Sequence, residues 1–209
     1  VGLKTHCKCV LVVRQEESGL RRYVHVGTGN YNSKTARIYE DIGLFTCNEK
    51  IGDDVSHLFN SLTGFDKDHD FNSLIVAPRY LRSKIVQLIE NEISYGKDGH
   101  IVMKINGLAD ARMIELLYQA SEAGVQIDLI VRGICCIRPS SDHEQNIRIR
   151  SVLGRYLEHS RMYHFAHGGP DNGPVYFIGS ADMMPRNLDK RVEVLIPVEH
   201  PKHRAWIEE

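Results

Sequence analysis

The stretch 100-HIVMKINGLADARMIELLYQASEAGVQIDLIVRG-133 decides the architecture. Its two ends, HIVMKIN and VQIDLIVRG, are short apolar runs rich in β-branched residues, and both read as strands. Between them Asp110 stands where a helix cap belongs, ahead of ARMIELLYQASEAG, and Gly124 supplies the stop. Working upstream, LIVAP (74–78) reads as another buried strand. RYLRSKIVQLIENEISYG (79–96) reads as a second helix, with Leu81, Ile85, Leu88, Ile89 and Glu92 at helical spacing. A β-α-β-α-β run predicts an α/β fold with a mainly parallel sheet and helices outside it. Ligands of such sheets bind beyond the carboxyl ends of the strands, and Asn106 and Arg132 fall at two of those ends.

Further upstream the pattern changes. Residues 8–14 and 21–27 read as two strands joined by the polar turn QEESGL, GTGNYNSKTA as a loop, and DIGLFT as another strand. Asp53 is expected to cap a helix through Leu62 that stops at Gly64. The polar connector GFDKDHDFNS divides the chain into domains 1–73 and 74–209.

A net charge of −1 argues against a general nucleic-acid surface, so any anion site must be a local cluster of Lys and Arg. No apolar run is long enough to span a membrane. The five cysteines (Cys7, Cys9, Cys47, Cys135, Cys136) follow neither zinc spacing nor a disulfide framework and read as reduced, cytosolic thiols. Cys135-Cys136 reads as packing. GTGN lacks the Gly-Lys-Ser/Thr that a phosphate-binding loop needs. The pairs His164/His167 and His200/His203 lack a carboxylate or thiol to complete a metal set and read as surface histidines. The chain opens on Val and closes at what reads as the start of an apolar-aromatic helix, HPKHRAWIEE. It is therefore read as a piece of a longer polypeptide.

A repeat carries the functional reading. THCK, with His6 and Lys8, has the His-x-basic form of His159-Ser160-Arg161. Downstream of each lies a matching segment. Laid side by side without gaps, Gly27 meets Gly179, Thr28 meets Ser180, Asn30 meets Asp182, Lys34 meets Arg186, and Asp41 meets Glu193. Packing alone does not explain why the matched positions are polar. Alternation along a strand puts His6 and Lys8 on one face, and likewise His159 and Arg161. Two imidazoles and two cations around one cleft suit phosphoryl transfer: one imidazole attacks phosphorus, the other moves a proton, and the cations stabilise developing charge. Asp41 and Glu193 are candidates to fix the histidine tautomers, the alternative being surface pairs with Lys34 or Arg191.

The paired His-x-Lys/Arg with downstream Gly-Ser/Thr-x-Asn/Asp resembles the phospholipase D superfamily, with Val13 and Ala166 where that superfamily carries an aspartate. The longer strings GLKTHCK, VHVGTGNYNSKTARIYED, LIVRGICCIRP, YLEHSRMYHF and GSADMMPRNLDKRVE resemble the bacterial polyphosphate kinases of the phosphohistidine type. Met183 replaces the aromatic that usually follows SAD. This resemblance implies two related phospholipase-D-like domains with mixed or parallel sheets flanked by helices, the first truncated. It implies an ATP:polyphosphate phosphotransferase that moves the γ-phosphate of ATP reversibly through a phosphohistidine. His6 would be the nucleophile, Tyr39 and Arg132 nucleotide and phosphate contacts, and His159 a nucleotide contact that assists proton transfer. Lys8 and Arg161 follow from chemistry as charge stabilisers, with Asn30 and Asp182 in support. Arg148, Arg150, Arg155 and Arg186 could guide a polyanion or form solvated strand faces. Magnesium ligands are expected upstream, with no metal ligand in this chain. The resemblance further implies a cytoplasmic homo-oligomer as the full-length protein, with peripheral membrane association, and little activity from these residues alone. The competing readings are a phospholipase-D-type phosphodiesterase and a non-catalytic folding or association unit.

Overall fold

The structure is a computed structural model and describes residues 3–65, 70–138 and 146–208. The first elements are β1 (Lys4–Thr5), β2 (Lys8–Glu16), β3 (Gly19–Gly27), β4 (Tyr39–Glu40), β5 (Gly43–Thr46) and α1 (Glu49–Thr63). Next come β6 (Ile75–Ala77), α2 (Leu81–Tyr95), β7 (His100–Ile105), α3 (Ala111–Ala123), β8 (Gln126–Val131) and β9 (Ile147–Arg150). The last are β10 (Leu157–Glu158), β11 (Met162–Phe165), β12 (Val175–Gly179), α4 (Pro185–Asp189), β13 (Arg191–Pro197) and α5 (Pro201–Glu208).

The fold is α/β. An eight-stranded sheet runs β1-β13-β12-β11-β7-β8-β9, with β6 also on β13, and β2-β3-β5 form a separate antiparallel sheet. The expected mainly parallel order holds only for β7-β8-β9 and for β1 on β13. β6 does not neighbour β7; it pairs antiparallel with β13, and the antiparallel strands β11 and β12 fill the space between. Sequence order could not reveal this, because the strands that intervene come later in the chain.

α3 forms where the sequence predicts. The Asp110 side chain accepts from the Met113 backbone amide at 3.1 Å, and Gly124 closes the helix in the left-handed conformation at φ 100°. α1 corrects the prediction at its start. Its cap is Asn48, which accepts from Lys50 and Ile51, while Asp53 lies inside the helix and pairs with Arg22 at 2.9 Å. Gly64 ends it as expected. The connector 64–73 lies partly outside the described residues.

Leu81, Ile85, Leu88 and Ile89 of α2 and Met113, Leu116, Leu117 and Ala120 of α3 pack on Ile101, Met103, Ile105, Ile127 and Leu129. Each fully buried large side chain contributes about 1.5–3 kcal/mol. A second core lies on the opposite face, where Val24 and Val26 of β3 and Val55 and Leu58 of α1 meet Val192, Val194 and Ile196. β13 is therefore buried on both faces, which accounts for the apolar residues on either side of the buried Glu193 in VEVLI. The residues around it come from both ends of the sequence, so the two segments interlock. Among the described residues no helix is long and apolar enough to cross a membrane.

Candidate active site

The site forms where the two repeats cross. β1 runs parallel to the start of β13, with Lys4 opposite Arg191 and Thr5 opposite Val192. β10 runs parallel to β4, with Leu157 opposite Tyr39 and Glu158 opposite Glu40. Each short strand leads into its histidine, and each histidine is then pinned by backbone to the other half. The His6 amide donates to Val192 O at 2.9 Å, and the His159 amide donates to Glu40 O at 3.0 Å. Tyr39-Glu40 and Arg191-Val192 are themselves matched positions of the repeat, so the arrangement is a pseudo-two-fold.

Each histidine therefore takes its carboxylate from the opposite copy. His6 Nδ1 lies 2.9 Å from Glu193 Oε2, and His159 Nδ1 lies 2.8 Å from Asp41 Oδ1. Each acid is also held by the hydroxyl of its own half: Thr28 donates to Asp41 at 2.6 Å and Ser180 to Glu193 at 2.5 Å. The same hydroxyls accept from the Ile42 and Val194 amides. The ion-pair partner of each acid among the described residues is thus a histidine, not Lys34 or Arg191.

The cations are buried beside these pairs. Lys8 donates its ammonium to the carbonyl of His6. Burial lowers its pKa to about 8, with Glu193 opposing and Arg161 reinforcing the shift. Arg161, 3% exposed, forks onto Asp182 at 3.2 and 3.1 Å and reaches the carbonyl of His159 at 2.7 Å. Its Nη1 also lies 3.1 Å from His159 Nε2. Burial lowers the His159 pKa below its ordinary value; Asp41 opposes this and Arg161 adds to it. Burial pushes the Asp41 carboxyl up, but hydrogen bonds from His159 and Thr28 outweigh it and hold the group below its ordinary value.

The remaining expected residues divide. The Tyr39 ring lies 4.9 Å from that of His159, and Arg132 Nη1 donates to the carbonyl of Glu158 at 2.9 Å, so both border His159. Asn106 donates its side chain to the His159 carbonyl at 3.3 Å, and its backbone amide donates to Asp182 at 2.7 Å. Asp182 is thus buried in the centre, whereas Asn30, its counterpart, is exposed. Of the proposed polyanion guides, Arg148 pairs with Asp128 at 2.6 Å, Arg155 lies over Tyr156, and Arg150 and Arg186 are exposed. His200 and His203 are exposed as expected. His164 and His167 are not free surface groups. His164 is half-buried against Tyr176, and His167 stacks on Tyr95 and bonds the buried Glu92. Cys135 packs against the core, while Cys136 is exposed.

Sequence reasoning did not single out Asn187 or Lys104. Asn187 Nδ2 donates to Glu193 Oε1 at 2.6 Å, and Lys104 bonds Glu158 at 2.9 Å and Ser160. The repeat could not reveal Asn187, because its counterpart is the dissimilar Thr35. Among the described residues no group of three or more His, Cys, Asp or Glu side chains is placed to hold a metal ion.

An α/β chain with two histidines, each backed by a carboxylate of the opposite repeat and flanked by buried cations, defines a duplicated two-histidine centre. Two family models match it: polyphosphate kinase C-terminal domain 1 over residues 1–68 and polyphosphate kinase C-terminal domain 2 over residues 74–209. The chain belongs to the polyphosphate kinase family. It is 55% identical over 205 residues to a polyphosphate kinase of Synechocystis, covering 96% of this chain and 28% of that protein. It is 52% identical over 213 residues to one of Mycobacterium avium, covering 100% of this chain and 28% of that protein. The crystal structure of polyphosphate kinase from Porphyromonas gingivalis superposes with a TM-score of 0.89 at 44% identity, over 99% of this chain and 32% of that one. The chain thus spans less than a third of the length of these relatives.

Proposed function

We propose that these residues carry the phosphohistidine chemistry of a polyphosphate kinase, with ATP and polyphosphate as substrates and His6 as the nucleophile. The observation that carries this reading is the inequality of the two imidazoles. His6 Nδ1 is tied to Glu193, and no hydrogen bond to its Nε2 is found among the described residues. His159 Nε2 instead faces the Arg161 guanidinium at 3.1 Å, which occupies the lone pair that a nucleophile needs.

In the first half-reaction His6 Nε2 attacks the γ-phosphorus of ATP. The bond from that phosphorus to the β,γ-bridging oxygen breaks, and ADP leaves. Glu193 accepts the hydrogen bond of Nδ1–H and balances the charge that develops on the ring. In the second half-reaction a terminal oxygen of polyphosphate attacks the same phosphorus, the N–P bond breaks, and His6 is regenerated. Lys8 and Arg161 supply positive charge for the transferring group. Tyr39 and Arg132, on either side of His159, are proposed as nucleotide and phosphate contacts. His159 is proposed to contact the nucleotide phosphates and to assist proton transfer there only once substrate phosphate draws the Arg161 guanidinium off its Nε2; burial and Arg161 favour its neutral form. The free thiols support a cytoplasmic setting.

The test is phosphate labelling. The intact polypeptide that carries this chain is incubated with magnesium and γ-labelled ATP, beside His6→Ala and His159→Ala variants. Acid-labile, base-stable label in the wild type, lost in His6→Ala, is the expected result. Label kept in His6→Ala and lost in His159→Ala would move the nucleophile to the other repeat. Hydrolysis of a phosphodiester without any label would replace the kinase reading with a phosphodiesterase.

A further inference from the structure

Within the pseudo-two-fold, one contact has no counterpart. Asp41 Oδ1 takes both the imidazole and the hydroxyl of its site, and no third donor reaches the carboxylate among the described residues. Glu193 takes His6 and Ser180 on Oε2 and, in addition, Asn187 on Oε1 at 2.6 Å. At the matched position Thr35 turns away and bonds the carbonyl of Asn32. Asn187 is 1% exposed, and its Oδ1 has no hydrogen-bond partner. A buried acceptor without a partner is unfavourable, so packing alone would favour an apolar residue here. What the position gains from an amide is the donor aimed at Glu193. The surrounding structure fixes that aim. Asn187 sits in α4, and Arg82 bridges Asp189 at the end of α4 to Asp110 at the cap of α3.

We propose that Asn187 is a positioning residue for His6, adding at its carboxylate to the inequality that Arg161 makes at His159. By holding the free oxygen of Glu193, it fixes the other oxygen against His6 Nδ1–H. This locks His6 in the tautomer whose Nε2 lone pair is available to attack phosphorus. The proposal deepens the phosphohistidine reading and rests on it for its kinetic consequence. The tautomer itself does not depend on the reaction.

The experiment therefore has two arms. In the intact polypeptide that carries this chain, nitrogen-15 spectra of histidine report the His6 tautomer in the wild type, Asn187→Leu and Asn187→Asp. The expected wild-type state is Nδ1–H, with the Nε2–H form rising in both variants. In the intact polypeptide, the single-turnover labelling rate is expected to fall about 10- to 100-fold in Asn187→Leu, the loss of one hydrogen bond to a charged group. KM for ATP should stay within about twofold. In a Glu193→Gln background the same substitution should have little further effect, because its action passes through Glu193. An unlabelled wild type would overturn the kinase reading and leave the tautomer to decide the role of Asn187. An unchanged tautomer in a folded variant overturns the inference, as does full additivity with Glu193→Gln. Asn187→Asp keeps the shape of the side chain and decides the matter if the leucine variant does not fold.

Discussion

Lys8 gives a prediction that the structure makes quantitative. Its side chain is buried, 4% exposed, with the ammonium on the carbonyl of His6. Desolvation lowers its folded pKa to about 8 from an unfolded value of 10.5. The unfolded chain thus holds this proton more tightly than the folded one, and stability must rise with pH between the two values. Below about pH 8 the buried ammonium destabilises the fold by up to about 3 kcal/mol, the shift converted at 1.36 kcal/mol per unit. Above about 10.5 the penalty is gone. The perturbation is Lys8→Met, which keeps the length and removes the charge. Urea denaturation of both proteins is followed from about pH 7 to about pH 10. Taking the difference cancels every other titration that the two share. Wild type should gain about 2–3 kcal/mol on the variant over that range. A difference flat to within ~0.5 kcal/mol would refute the claim that Lys8 is buried as a charge. On the proposed function, a polyanion bound beside Lys8 would restore the proton. Polyphosphate affinity should therefore fall by up to about tenfold per pH unit above pH 8, and only in the protein that keeps Lys8.

Two further outcomes follow from the same centre. Asp182→Asn leaves the Arg161 guanidinium buried beside a neutral group and should cost about 3–5 kcal/mol by denaturation. Most of this should be recovered when Arg161→Met is added, and additive losses would contradict the pairing. Asp41→Asn removes the group that raises the His159 pKa against burial, so that pKa should fall below its wild-type value in an NMR titration. A rise would mean that Asp41 is not its partner.

The helices were legible because their signals are local. Asp110 and Gly124 bound α3 by properties of their own backbone neighbourhoods. The start of α1 was misread because Asn48 and Asp53 are both acceptable caps, and only the strand that precedes the helix chooses between them. His164 and His167 look like surface residues in sequence. His164 is covered by Tyr176 of the next strand, and His167 by Glu92 of α2, which lies far back in the chain. Gly179 is a case where the repeat marks a position and the structure gives the cause. A β-carbon there would overlap the carbonyl of Val194, so the strands can close on one another only at glycine.

The sequence by itself determined the α/β class, the duplicated polar positions and the residue types of the two-histidine centre. Those are carried by periodicity and by residues repeated in register. Tertiary structure alone decided the sheet order, which acid serves which histidine, and the extra donor that separates His6 from His159. Each of these is a contact between residues distant in the chain. His6 and Glu193 meet because β1 pairs with β13. A one-dimensional repeat records that both halves carry a histidine and an acid, but it holds nothing about which half each side chain crosses to reach.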